Sequence, residues 1–499
     1  MNIADILQQH AFERPNHSAI EDGERLISYG ELAGCVNNFA AVLYDAGVRA
    51  GDVVCVMLPD SADHIVLLYA LAKLGAIHYA LDFQMPNGER QRAVQGINIK
   101  LLIARRDTAP IAGLTVLYPR QIIARTKRLA VDAVAPESPP QFDDSQTMTI
   151  VNSSGTTGAA KQVYLSHAQI MSRLKTDAAY RDLNQNDRFL SIVHLSFLDG
   201  SRRVMTMHRL GGSVVINHSP PGPALRDYIL ARKITSTFLA PGHLLPLLNC
   251  SKDETAMLAA LKINVESAPL SHRARLAARR QLTPHFLETY GTVETSLLTR
   301  ATPSDQDAEP DSVGRMIDGI EAQIVDGDAR RLAPGEVGEI RFRGQHFPTC
   351  YQGSDAATAR AFRDGWFYPG DLAAINSTGY VFLKGRSDDV INNEGAKFYP
   401  VEVENVLLEH PAVREVAVTG WPHPRFGSVA IAFVVATDAL PPAEKLQRYC
   451  QRYLAAYKTP QHVIFVKELP RNRSGKILKR QLKKDLQTKM RRQAEARGR

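Results

Sequence analysis

The sequence predicts an α/β protein with a large N-terminal domain of α/β layers, a β-rich segment within it, and a small C-terminal α+β domain. Three observations predict this. At 499 residues the chain exceeds what one hydrophobic core serves. Apolar runs of strand length alternate with stretches of helical periodicity from residue 26 to about 290, which implies parallel sheet layers. From about residue 313 the pattern changes to short strands with turns, and past Gly385 a smaller α/β unit begins, so the division falls at 1–384 and 385–499.

In chain order, Leu32, Val36, Phe39, Ala40 and Leu43 recur at helical spacing and stop near Gly47. Val53 to Leu58 reads as a buried strand, residues 61–74 as a helix ending before Gly75, and Ala76 to Leu81 as a strand. The alternation recurs at 98–104 and 114–118, and residues 133–146 form a Pro-, Asp- and Ser-rich loop. Met148–Val151 is a strand, Ser166 to about Leu183 a helix, and Leu190–Val193, Val214–Ile216 and Thr237–Ala240 further strands. Glu339–Arg343 and Tyr380–Leu383 belong to the β-rich segment. The small unit holds a helix from Val401 to Leu408, strands Val413–Val418 and Val429–Val435, and a helix from Ala443 to Leu454.

Composition excludes several classes. A hydrophobic content of 44% and a charged content of 22% are those of a globular protein, and no apolar run reaches membrane-spanning length. Met1–Asp5 opens without a basic stretch and an apolar core, so no signal peptide is expected. Five scattered cysteines without C-x-x-C spacing point to a reducing, cytoplasmic setting and away from zinc. Residues 471–499 carry twelve Lys/Arg against Asp485 and Glu495, a net of +10, which leaves −2 for residues 1–470 out of the total of +8. The basicity therefore belongs to the C-terminal end. That end lacks the interleaved aromatics of a nucleic-acid surface, so a solvated, frayed helix is favoured over a nucleic-acid partner.

The chain is organised around Asn152–Lys161. Two glycines, Gly155 and Gly158, free the backbone to turn tightly after a strand. Hydroxyls at Ser153, Ser154, Thr156 and Thr157, backbone N–H groups and the Lys161 ammonium can converge on one anion, which suits the phosphates of a nucleotide. The spacing is not that of the P-loop G-x-x-x-x-G-K-[ST]. A plain Ser/Thr/Gly surface turn is the other reading of this stretch.

Four more motifs accompany the loop. Residues 153–162 match S-G-T-T-G-x-P-K-G, Tyr290–Glu294 match Y-G-x-T-E, Tyr368–Asp371 match Y-x-T-G-D, Gly385–Glu404 match G-R-x-D-D-x-I…G…E-x-E, and Pro470–Arg480 match P-x-x-x-x-G-K-x-x-R. In this order they make the chain resemble the adenylate-forming superfamily of AMP-dependent synthetases and ligases. That superfamily holds acyl-/aryl-CoA synthetases, luciferases and peptide-synthetase adenylation domains. The resemblance runs from Tyr29 to Arg480.

The resemblance implies an ATP- and Mg2+-dependent ligase. It attacks the α-phosphorus of ATP with a small-molecule carboxylic acid, releases pyrophosphate, and passes the acyl group to a thiol. Ser154, Gly155, Thr156, Thr157, Gly158 and Lys161 would cradle phosphates, with Glu294 and Thr157 toward magnesium. Tyr290, Gly291, Thr292 and the backbone near Ala268 would hold adenine, Asp371 the ribose hydroxyls, and Arg386 the ribose or a phosphate. Lys476 would enter from the small domain as the catalytic lysine. The resemblance makes that domain mobile, with Asp388 as hinge. Taken singly, Asp371 and Asp388 could each merely cap a turn, and Arg386 could be an interdomain salt bridge. Gly395 would line a pantetheine tunnel. The acceptor is coenzyme A or the phosphopantetheine of a carrier protein acting in trans, since no carrier domain is present.

The acyl pocket is expected near Phe197, Asp199, Gly200, Leu239 and Pro241. Asp199 falls where amino-acid-activating relatives grip an α-ammonium, with Arg202 and Arg203 placed to hold a second carboxylate. The contrary reading pairs Asp199 with one of those arginines, and a fatty or aromatic acid is favoured over an amino acid. Ala160, Gln162, Val293 and Pro369 depart from the motifs without removing a charged group and point to a divergent or specialised member. A scaffold on a dead enzyme fold is the remaining alternative. Lys161, Glu294, Asp371, Arg386 and Lys476 together argue against it.

Overall fold

The computed structural model describes residues 1–108, 111, 113–127, 142–153, 161–248, 258–266, 270–437, 440–471 and 477–497. Among the described residues the chain forms four sheets. The first runs, in spatial order, Val116–Leu117, Ile99–Ala104, Val53–Met57, Ile77–Ala80, Thr147–Ser153, Lys161–Ser166. All neighbours are parallel except the last pair. The second has a parallel centre of Phe286–Thr292, Lys262–Val265, Ser236–Leu239, Arg188–Ser191, Ser213–Ile216 and Ser18–Asp22, with antiparallel strands at both edges.

The predicted elements form for the expected reasons. Val53–Met57 is buried at every position, as a central parallel strand must be. Helix Tyr29–Asp45 starts at a Ser28–Glu31 capping box and buries Leu32, Val36, Phe39, Ala40 and Leu43. Helix His167–Tyr180 starts at a second box, Ser166 with Gln169, directly after the strand that carries Lys161. Such a cap stabilises a helix by about 1 kcal/mol and here fixes where the strand stops.

The β-rich segment is a third, antiparallel sheet in which Gly338–Gly344, Asp371–Ile375 and Val381–Arg386 are neighbours. Because Gly385 and Arg386 pair with Leu372 and Asp371, this sheet extends through Arg386. The turn Ser387–Asp389 then leads to the fourth sheet, which begins at Ile391. That sheet is the hairpin Val413–His423 and Gly427–Ala436, with His462–Phe465 running parallel and Ile391–Asn393 antiparallel, both paired with Gly427–Ala436 on the side away from Val413–His423. Helix Lys479–Arg497 docks on it through Leu482 and Leu486. The basic end is therefore a packed helix over its first turns. Two apolar side chains at i, i+4 spacing supply the anchor that a count of charges conceals.

In open parallel sheets, ligands bind beyond the carboxyl ends of the strands. The stretches 192–200, 240–243 and Tyr290–Glu294 all lie at such ends.

Candidate active site

Asp371 and Arg386 are cross-strand partners, and Arg386 Nη1 donates to Asp371 Oδ1 at 2.9 Å. The hydroxyl of Tyr290 donates to the other carboxylate oxygen at 2.5 Å. Burial, then the Asp371 charge, push the Tyr290 phenol up, so it stays a donor. Burial works against the Arg386 charge, but Asp371 outweighs it and raises the guanidinium. Gly370 has φ +81°, and a Cβ there would sit 3.3 Å from Arg386 Nη2. Glycine thus both permits the turn and lets the arginine reach the carboxylate.

Next to this trio lies a second cluster. Glu294 is buried, and its Oε1 accepts from the Tyr351 hydroxyl at 2.7 Å. The Lys161 ammonium stands over the Tyr351 ring, 4.7 Å from its centre. Burial lowers the Lys161 pKa, and Glu294 opposes the fall. Arg173 donates to the carbonyls of Val293 and Glu294 at 2.8 and 2.5 Å, which fixes the backbone that presents the carboxylate. Val293 packs against the main core. Gln162 Nε2 donates to Ala93 O at 3.3 Å, so this departure ties the strand after the loop to helix Asn87–Val94.

Of the residues expected to line the acyl pocket, Phe197 and Asp199 are half-buried at the start of helix Leu198–Leu210, while Leu239 is buried at the end of strand Ser236–Leu239 and Pro241 just after it. A Cβ on Gly200 would lie 2.3 Å from His194 O, so no larger residue fits. Asp199 Oδ1 accepts from Arg202 Nη2 at 2.8 Å. Arg202 also pairs with Asp177, which pairs with Arg181 at 2.8 Å. Arg181 and Arg203 both donate to Glu266 Oε2, at 3.0 and 2.8 Å, and Thr289 does so at 3.0 Å. Arg203 is stacked on Phe238 at 3.7 Å. This corrects the expectation that Arg202 and Arg203 hold a substrate carboxylate: both are buried and their donors point at Asp177, Asp199 and Glu266. Burial alone would raise the Asp177 carboxyl, but Arg202, Arg181 and Arg203 outweigh it and hold it well below the usual range. Glu266 is lowered in the same way by Arg181 and Arg203 against burial.

With this geometry in view, comparison with known proteins is decisive. Residues 7–352 match the family model of the AMP-binding enzyme, and residues 402–476 match the AMP-binding enzyme C-terminal domain. The chain belongs to the AMP-binding enzyme family. It is 29% identical to indoleacetate–CoA ligase of Aromatoleum aromaticum, over 96% of this chain and 97% of that one. It is 28% identical to the fatty acid–[acyl-carrier-protein] ligase ScoC of Streptomyces coeruleorubidus, over 95% and 94%. Among solved structures it superposes on ATP-bound MatB of Rhodopseudomonas palustris with a TM-score of 0.87 at 27% identity, over 97% of this chain and 99% of that one.

In this AMP-binding enzyme the structure brings Tyr290, Asp371 and Arg386 together, and Glu294 with Lys161. Gly291 and Thr292 end the strand that carries Tyr290. Asp388 is exposed in the turn between the third and fourth sheets. Gly395, at φ +89°, closes the two-residue hairpin between Ile391–Asn393 and Ala396–Phe398. Ser154, Gly155, Thr156, Thr157, Gly158, Ala268 and Lys476 lie outside the described residues. Tyr351 and the network of Asp177, Arg181 and Glu266 escaped the sequence reading. Only Asp177 and Arg181 left a signal, as an i, i+4 pair on one helix.

Among the described residues no group of three or more His, Cys, Asp or Glu could hold a metal. No helix among them is long and apolar enough to cross a membrane.

Proposed function

We propose that this enzyme activates a fatty or aromatic carboxylic acid with ATP and transfers the acyl group to the thiol of coenzyme A. The observation that carries the reading is the Glu294–Tyr351–Lys161 cluster beside the Asp371–Arg386–Tyr290 trio. It supplies a cation for phosphate, a carboxylate for a metal and a carboxylate for ribose, beyond the ends of parallel strands. In the first step an acid oxygen bonds to the α-phosphorus and the bond to pyrophosphate breaks. Lys161 faces the leaving charge, and Lys476 neutralises the crowded carboxylate and α-phosphate. In the second step the thiol sulfur bonds to the carbonyl carbon and AMP leaves. The Glu294 carboxylate suits magnesium, which takes one or two carboxylates along with substrate phosphates and would screen their charge.

Asp199 is already neutralised by Arg202, which favours an acid without an α-ammonium. The relatives named for indoleacetate and for a fatty acid agree with that class. The carrier-protein acceptor is the second reading, favoured by the basic helix Lys479–Arg497 and by the relative named as a carrier-protein ligase. Incubation with ATP, a panel of aryl, fatty and amino acids, and either coenzyme A or a holo-carrier protein tests both. Acyl-CoA formation from an aryl or fatty acid is expected. Turnover of an amino acid would overturn the substrate class, and transfer to the carrier alone would overturn the acceptor.

A further inference from the structure

An imidazole–carboxylate pair stands outside the clusters described so far. His194 Nδ1 meets Asp60 Oδ2 at 2.7 Å, and Asp60 Oδ1 accepts from the backbone N–H of Leu195 at 2.8 Å. The carboxylate therefore holds the ring and the peptide beside it. Such a grip fixes the tautomer with the proton on Nδ1 and leaves the Nε2 lone pair outward. The His194 side chain is 36% exposed, and among the described residues it makes no other side-chain hydrogen bond.

The place of the pair sets it apart from an ordinary surface bridge. Asp60 follows strand Val53–Met57 of the first sheet, and His194 follows Arg188–Ser191 of the second. The pair joins the carboxyl ends of the two sheets. His194 also opens the acyl loop: its carbonyl accepts from Phe197 N at 3.0 Å and packs against Gly200. His243, which follows Gly242 in the chain, is close enough to His194 to feel its charge. Arg471 of the small domain rests on Gly242, where a Cβ would be 3.6 Å from its Nε. His194 thus stands where the two sheets meet, near a segment that the small domain touches, beside the loop expected to flank the acyl group.

We propose that His194, oriented by Asp60, is the general base that takes the proton from the incoming acceptor in the transfer half-reaction; the proposal rests on the acyl-transfer reading above. Nε2 accepts the thiol proton as sulfur bonds to the acyl carbonyl carbon. The carbon–oxygen bond to the phosphate breaks, AMP leaves with the electron pair, and the imidazolium returns its proton to solvent. The ionisable groups around the ring fit this role. Asp60 faces it directly, and Asp60 also acts on His64, which burial keeps neutral. His243 is pushed down to about 4 by burial, then Arg471, then His194 itself, so it stays uncharged at neutral pH. Arg471 is paired with Glu415 at 2.6 Å.

The test separates the two half-reactions in the full-length enzyme. Wild type, His194→Gln and Asp60→Asn are compared in ATP–pyrophosphate exchange with indoleacetate, ferulate and 2-succinylbenzoate as probes. Single-turnover transfer from preformed adenylate to coenzyme A is then followed from pH 6 to 9 with the best acid. In His194→Gln, transfer is expected to fall roughly hundredfold or more, the usual worth of a general base, and at least thirtyfold more than exchange. The pH profile of transfer should change shape in this variant, which lacks the group that carries the proton. Asp60→Asn should fall about tenfold in transfer, because the ring loses the carboxylate that orients it. Transfer that keeps wild-type rate and pH profile in His194→Gln would overturn the proposal while leaving adenylation standing. A parallel loss of exchange and transfer would also overturn it and make the pair a strut between the sheets. No exchange by wild type with any acid would instead remove the acyl-transfer reading underneath.

Discussion

Two groups of charges lie near the ends of the parallel strands, and they are wired differently. In the cluster of Tyr290, Asp371, Arg386, Glu294 and Lys161, each charge has one or two partners and several side chains are half-exposed. In the cluster of Asp177, Arg181, Arg202, Arg203 and Glu266, the acids each serve two or more cations and all five residues are buried. The first can trade its internal bonds for bonds to a ligand. The second cannot be opened without stranding a charge in low dielectric, so it braces helix Leu198–Leu210 against its neighbours. Similar residue types are thus open to a ligand in one place and locked into scaffolding in the other, and burial with partner count decides which.

Mutations should separate the two. Asp177→Ala leaves Arg181 and Arg202 without their shared carboxylate, and a loss of about 3–5 kcal/mol is expected. A lower urea midpoint at unchanged slope would show it. An unchanged midpoint would put the cluster in the ligand-facing group after all.

Acid should act on the scaffold side next. Burial, with a contribution from His64, holds His78 down to about 3, and burial holds His167 and His208 down to about 4. Unfolded histidine titrates near 6.5. Below that pH the unfolded chain binds protons that the folded chain refuses, so stability falls as pH drops from about 6.5 toward 4 and is fully present above 6.5. Urea midpoints measured from pH 7.5 to 4.5 check the sign; a rise toward acid would contradict it.

Asp371→Asn belongs to the ligand-facing side. It keeps the shape but removes the charge that Arg386 and Tyr290 address. ATP affinity by calorimetry should drop roughly ten- to hundredfold, the 1.5–3 kcal/mol range of hydrogen bonds to charged groups, with little change in the urea midpoint. At the far end of the scale is Arg330→Ala, which breaks a bridge to Asp328 whose partners are 77% and 70% exposed. It should shift stability by less than about 0.5 kcal/mol.

How much of this was legible in the sequence follows the same division. Phosphate and ribose chemistry demands particular residue types at tight spacing, so Lys161, Tyr290, Glu294, Asp371 and Arg386 stand out in their motifs. Strand and helix periods revealed the layers, since Val53–Met57 and helix Tyr29–Asp45 pattern as buried elements do. The scaffold network did not stand out, because Asp177 meets Arg202 and Glu266 meets Arg181 only through packing of distant segments. Tyr351 reaches Glu294 across 57 positions, and Asp60 reaches His194 from the other sheet. The placement of Asp199 was left open by its neighbours in sequence, since Arg202 at i+3 could have faced substrate instead. Sheet order was not readable either, for adjacency of parallel strands depends on crossovers that local patterns do not encode.

We propose that the Glu294–Tyr351–Lys161 cluster and the Asp371–Arg386–Tyr290 trio form an adenylating site completed by Lys476. ATP–pyrophosphate exchange across aryl and fatty acids, in wild type and Lys476→Ala, tests it most directly. The account predicts exchange with one acid class and its loss in the variant by at least about a hundredfold. Exchange that survives in Lys476→Ala, or that needs no acid, would contradict it.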